Sequence, residues 1–173
     1  MTYDPATRQL LLASDSISGG GANDWVWNTK TWRFVGDSTD AAAVAYDPAC
    51  HALVSFGGGF GPSPVPESFG QTRRWNGSRW NRLLAGGGPG QPLPRSGAGL
   101  TYDPALHALI MFGGFNDMSA QTLHDTWAFA KCRGWIRLPL EDLPPVAVPG
   151  GNFVYDTTHH FALLFTGRTW LFS

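Results

Sequence analysis

The chain has 173 residues, within the range of one domain, and is rich in Gly (22), Pro (13) and Trp (8), with 14% of its residues charged. A net charge of −1 supplies no field that would gather nucleic acid or an anionic membrane, and no run approaches the ~18 uninterrupted apolar residues of a spanning helix. No stretch carries a sustained apolar period of 3.6 between helix caps, so an all-β domain of short strands and many turns is expected, with almost no helix.

In chain order, the first element forms around Tyr3 in YDPATRQL, and nearly the same words return as YDPACHAL from Tyr46 and YDPALHAL from Tyr102. A fourth copy, YDTTHHFALLFTG, starts at Tyr155, so the anchors lie 43, 56 and 53 residues apart. Each copy reads as a hairpin. A strand A leads into Asp-Pro, where Pro presets φ and the Asp side chain accepts from nearby backbone N–H groups, and a strand B such as ALIMF (108–112) follows. The fourth copy has Asp156-Thr157, a weaker turn. Strand B then meets Ser14-Asp15, Gly57-Gly58, Gly113-Gly114 or Thr166-Gly167, and the glycine pairs allow close backbone approach or positive φ.

Next in each copy comes a Trp-rich hairpin, strands C and D, in DWVWNTKTWRFV (24–35), RRWNGSRWNRLL (73–84) and DTWAFAKCRGWIRL (125–138). Trp25 and Trp27 alternate onto one face, and Asn76-Gly77 is a two-residue hairpin signal. The last copy ends in RTWLFS, which supplies a strand C and no strand D.

Periods of this size are those of propeller blades, small sheets that must stack on their neighbours to bury both faces. A tyrosine-bearing strand, an apolar strand, a double glycine and two aromatic residues flanking a short turn together resemble a kelch repeat of the galactose-oxidase-like superfamily. The resemblance spans essentially the whole chain. It departs at Arg73, which stands where Trp25 and Trp127 stand, at Ser14-Asp15, and in the shortened last copy. It implies a single domain over 1–173, an all-β, four-bladed kelch-like β-propeller with an incomplete last blade. The blades fall at approximately 1–36, 37–84, 85–138 and 139–173. Three closures fit: a compact four-bladed ring, which is the first expectation, a piece of a longer propeller, or a homodimer that closes the ring across an exposed edge.

Up-and-down blades send the A→B and C→D turns to one end and the B→C and D→A connections to the other. The long connections, 59–72, 85–96, 115–124 and 139–150, all belong to the second end. Long loops on a rigid scaffold are where binding groups gather. Kelch-type propellers hold partners at this end, so the resemblance implies the same face. The candidate contacts are Phe60, Glu67, Phe69, Arg95, Asn116, Asp117, Met118 and His124. A protein partner is expected, with a glycan as the second ligand class.

Other motifs have plainer readings. His51, His107 and His160 recur five residues after their tyrosines, one per blade at solvated turns, which holds them too far apart for a shared metal. GGGFG (57–61) and GGGPG (86–90) lead into no helix and no Gly-Lys-Ser/Thr, so no phosphate loop is expected. The arginines among tryptophans in RRWNGSRWNR suit an outer hairpin rather than nucleic acid, and Asn76-Gly77-Ser78 is explained by its turn. Cys50 and Cys132 fit neither a disulfide framework nor a zinc pattern, so free thiols are expected, with the cytoplasm as the favoured compartment. No acid, base or nucleophile constellation stands out, and none of galactose oxidase's catalytic residues is carried over. The reading is a non-catalytic scaffold without cofactor or metal. A sugar-active enzyme, or the propeller fragment of one, and a structural self-assembly unit are its rivals.

Overall fold

A computed structural model describes residues 1–13, 23–36, 42–59, 69–139, 152–165 and 167–172. Among them no residue is helical, and none lies in a helix long and apolar enough to cross a membrane. Blade 1 is the antiparallel sheet β1 (Thr2–Asp4), β2 (Gln9–Leu12), β3 (Trp25–Trp27) and β4 (Trp32–Phe34). Blade 2 is β5 (Ala43–Asp47), β6 (Ala52–Phe56), β7 (Thr72–Trp75) and β8 (Trp80–Leu84). Blade 3 comprises β9 (Gly99–Asp103), β10 (Ala108–Phe112), β13 (Thr126–Ala130) and β14 (Gly134–Leu138), with the ribbon β11 (Phe115–Asn116) and β12 (Gln121–Thr122) between its second and third strands. Blade 4 has three strands, β15 (Asn152–Asp156), β16 (Phe161–Phe165) and β17 (Thr169–Phe172). The molecule is a four-bladed β-propeller whose last blade lacks an outer strand among the described residues.

The repeated words explain these elements. Asp4, Asp47, Asp103 and Asp156 each accept through Oδ1 the backbone N–H two residues on, at 2.9, 2.8, 2.8 and 2.8 Å. The fourth copy therefore makes the same Asx turn without its proline. The residue that closes each turn is left-handed: Arg8, His51, His107 and His160 have φ of 56°, 49°, 50° and 61°. That conformation, on an exposed turn, accounts for the recurrent histidine position. The second hairpin differs slightly from expectation. Asn76 donates its N–H to the Arg79 carbonyl at 3.2 Å, while its Oδ1 accepts from Ser78 and Arg79, so Gly77-Ser78 is the loop and Asn76 its anchor.

Alternation along the strands sorts each blade into two faces. The rung Tyr46, Leu53, Trp75 and Trp80 of blade 2 packs on Leu11 and Val26 of blade 1. Tyr102, Leu109, Phe129 and Trp135 of blade 3 pack on Ala45, Val54 and Phe56 of blade 2, and Tyr155, Ala162 and Phe172 of blade 4 on Ile110, Phe112 and Ala128 of blade 3. The tyrosine rungs of blades 2, 3 and 4 thus face the blade before them. The inner strands β1, β5, β9 and β15 follow one another around the axis, with no comparable packing of β15 on β1. The two outward faces stay open: Tyr3, Trp32 and Phe34 on blade 1 and Val154, Phe165 and Leu171 on blade 4 are exposed.

The cysteines correct one expectation. Cys50 and Cys132 form a disulfide, with Cα atoms 5.0 Å apart and 82 residues between them in sequence. Cys50 lies in the A→B turn of blade 2 and Cys132 in the C→D turn of blade 3, and stacking brings these two turns together at one end. Replacing both by alanine removes a loop constraint worth up to about 4 kcal/mol on loop-closure entropy. The urea midpoint of the wild-type chain is expected to fall toward that of the variant when reductant is added. An unchanged midpoint would show that the two sulfurs are not joined.

Candidate binding face

The end opposite the disulfide carries the described connections 85–98 and 113–125, which are sewn with Gly57, Gly58 and Phe69 into a plate. After β6, Gly57 and Gly58 adopt φ of +75° and +98°. A Cβ on Gly57 would lie 2.2 Å from the Arg95 carbonyl oxygen, so glycine there lets the 85–98 connection lie against the end of strand B. Gly58 donates to Arg95 O at 2.9 Å, Arg95 N–H to Phe69 O at 3.1 Å, and Phe69 N–H to Gly58 O at 2.7 Å. Ser96 and Phe115 exchange a pair of backbone bonds of 2.9 Å, tying the same connection to blade 3.

Arg95 lies at the centre of the plate, fully buried. Its Nη1 and Nη2 meet Asp125 Oδ1 and Oδ2 at 2.6 and 3.0 Å, Nη1 also reaches Gly113 O at 2.9 Å, and Nε donates to Leu93 O at 3.0 Å. Asp125 Oδ2 accepts from Trp127 Nε1 at 2.6 Å. Burial alone would raise the Asp125 carboxyl, but the Arg95 fork, with help from Trp127, holds it below its ordinary range. A bidentate pair of this kind fixes orientation as well as charge. Asn116, also buried, donates through Nδ2 to Pro94 O at 2.7 Å and accepts through Oδ1 from the Ser119 N–H at 2.9 Å.

The expected contacts therefore divide. Arg95 and Asn116 direct their polar groups into the plate, and Phe69 is half-buried with both backbone groups bonded within it. Asp117 is partly buried, with Ser96 Oγ 3.4 Å from its Oδ2. Met118, 76% exposed at the tip of the β11–β12 ribbon, and His124 project outward. Phe60 and Glu67 lie outside the described residues. Sequence reasoning missed Leu93, 52% exposed beside the plate, and Asp125, the partner that explains Arg95. A lone arginine in a Pro/Gly-rich loop was the available signal, since burial of such a charge requires a carboxylate.

Along the axis the four inner strands line an open cavity of about 720 Å³. Its walls are apolar residues and hydroxyls, among them Ala45, Leu100, Thr101 and the tyrosines of blades 2 to 4, with no carboxylate or imidazole among the described lining residues. Burial first, then the carboxylates of the preceding blade's turn and of their own, pushes the Tyr46, Tyr102 and Tyr155 phenols above their ordinary value. They remain neutral hydroxyls at physiological pH.

No protein-family model and no curated protein matches this chain. The solved structure of YjhT is similar to it in fold, with a TM-score of 0.64 over 95% of this chain at 13% identity. The chain spans 56% of that neighbour's length.

Proposed function

We propose that this chain is a non-catalytic, kelch-like propeller scaffold that holds a protein partner on the face built from its B→C and D→A connections. The observation that carries the reading is the Arg95–Asp125 clamp beneath that face: a buried, bidentate pair fixes the long connections while Met118 and Leu93 stand exposed above them. Preorganised loops bind with less ordering cost, and exposed methionine and leucine suit a protein surface better than a glycan. The Cys50–Cys132 bond favours an oxidising compartment over the cytoplasm.

A photo-crosslinking amino acid placed at position 118 tests this in extracts of the source cells. A discrete adduct is expected from position 118 and none from position 136, an exposed site on the outer strand of blade 3. Equal labelling from both positions would refute the loop face as the partner surface.

A further inference from the structure

A hydrogen bond recurs between blades. Trp80 Nε1 of blade 2 donates to Asp24 Oδ2 of blade 1 at 2.9 Å, and Trp135 Nε1 of blade 3 donates to Thr72 Oγ1 of blade 2 at 2.8 Å. Both donors lie within the first two residues of the outer strand of their blade, and the acceptors stand at or just before the start of the third strand of the preceding blade. Blade 3 carries the corresponding acceptor in Thr126, which opens β13 as Thr72 opens β7. Thr126 is 2% exposed, and its Oγ1 has no hydrogen-bond partner. The donor due there would come from an outer strand of blade 4, yet β17 pairs only with β16 among the described residues.

The geometry points to a strand-addition site: the edge of β17 takes up an extended segment from outside residues 1–173, which carries a tryptophan whose indole N–H satisfies Thr126 Oγ1. This surface is separate from the loop face. The neighbouring blades give the register. Trp80 and Trp135 stand opposite Trp75 and Phe129, Arg82 and Arg137 opposite Arg73 and Trp127, and Leu84 and Leu138 opposite Thr72 and Thr126. On β17 the matching positions are Phe172, Trp170 and Thr169, so the segment reads Trp, any residue, Arg, Leu, antiparallel to β17. An aromatic seat is in place. Trp135 packs against Phe56 and Phe129 at ring-centroid distances of 5.0 and 5.1 Å, and the equivalent pair in blade 4, Phe112 and Phe172, lies 5.4 Å apart. An unpaired strand edge supplies the backbone groups for such a segment, and the buried hydroxyl supplies specificity.

The probe is a fluorescein-labelled peptide with the sequence of residues 133–139, Arg-Gly-Trp-Ile-Arg-Leu-Pro, titrated into the full chain by anisotropy. Saturable binding is expected, weakened about tenfold or more when the peptide's tryptophan is alanine. Thr126→Val should weaken it about fivefold, the worth of one buried hydrogen bond. Hydrogen exchange should show new protection at 169–172. No saturation up to about 1 mM, or equal affinity for the tryptophan and alanine peptides, overturns the assignment. So does protection of 169–172 that grows with protein concentration without peptide, which would place a second copy on the edge.

Discussion

Asp125→Asn is expected to destabilise the chain by about 3–5 kcal/mol, because it leaves the fully buried Arg95 guanidinium without its counter-charge. The amide keeps the shape but turns one Nη donor toward an NH2 group, and the loss of charge is not recovered from solvent that Arg95 does not touch. Arg95→Met combined with Asp125→Leu should recover only part of the loss. Replacing a buried ion pair by apolar groups is often neutral, but here Gly113 O, Leu93 O and the Trp127 indole lose their partners too. Urea denaturation of the three proteins measures this. A cost below about 1 kcal/mol for Asp125→Asn would mean that water or another group reaches Arg95.

The same pair sets a pH signature. The Asp125 carboxyl is held below its ordinary value of 3.8, so its contribution is present above that pH and is lost as pH falls through the folded-state value. Asp47 runs the other way. Burial is the largest influence on it and outweighs the N–H groups of Ala49 and Cys50, so its carboxyl is raised. It therefore binds its proton more readily when folded, and its contribution improves as pH falls toward 3.8. Asp125→Asn should remove the Asp125 share of the acid-side loss, so that stability measured by urea denaturation falls less steeply in acid than in the wild-type chain.

What was legible in the sequence is what repeats. Four tyrosine words yielded four inner hairpins, and Gly57-Gly58 and Gly113-Gly114 marked close backbone approach, because turn chemistry and strand alternation act within a few residues. What was not legible depends on neighbouring blades. Arg95 resembled a surface contact because its partner lies 30 residues further on and no local pattern links them. The cysteines looked free because 82 residues separate them, although assigning one to an A→B turn and the other to a C→D turn already placed both at one end. Asn116 sat in a long connection without a strand or turn pattern, and the β11–β12 ribbon turned it inward. A repeat announces the sheet, while pairings across blades become visible only once the sheets are stacked.

Trp32, Trp80 and Trp135 occupy the same place in their repeats but are 43%, 7% and 5% exposed, so one substitution made three times measures what stacking contributes. Trp135→Ala is expected to cost about 3–5 kcal/mol, from the void between Phe56 and Phe129 and from an unsatisfied Thr72 hydroxyl. Trp80→Ala should fall in the same range, since it removes a contact with Trp75 and the donor to the buried Asp24. Trp32→Ala should cost less than about 1 kcal/mol: Trp32 pairs with Trp27 on its own sheet but has no blade in front of it. The contrast decides whether the open side of the propeller is open in solution. Nearly equal losses at all three positions would mean that blade 1's outward face is covered, by blade 4 or by another copy, and a loss at Trp32 that vanished on dilution would identify the copy. A loss confined to Trp80 and Trp135 would leave Tyr3, Trp32 and Phe34 as an uncovered aromatic surface, and blade-on-blade burial as the source of the tryptophans' stabilising effect.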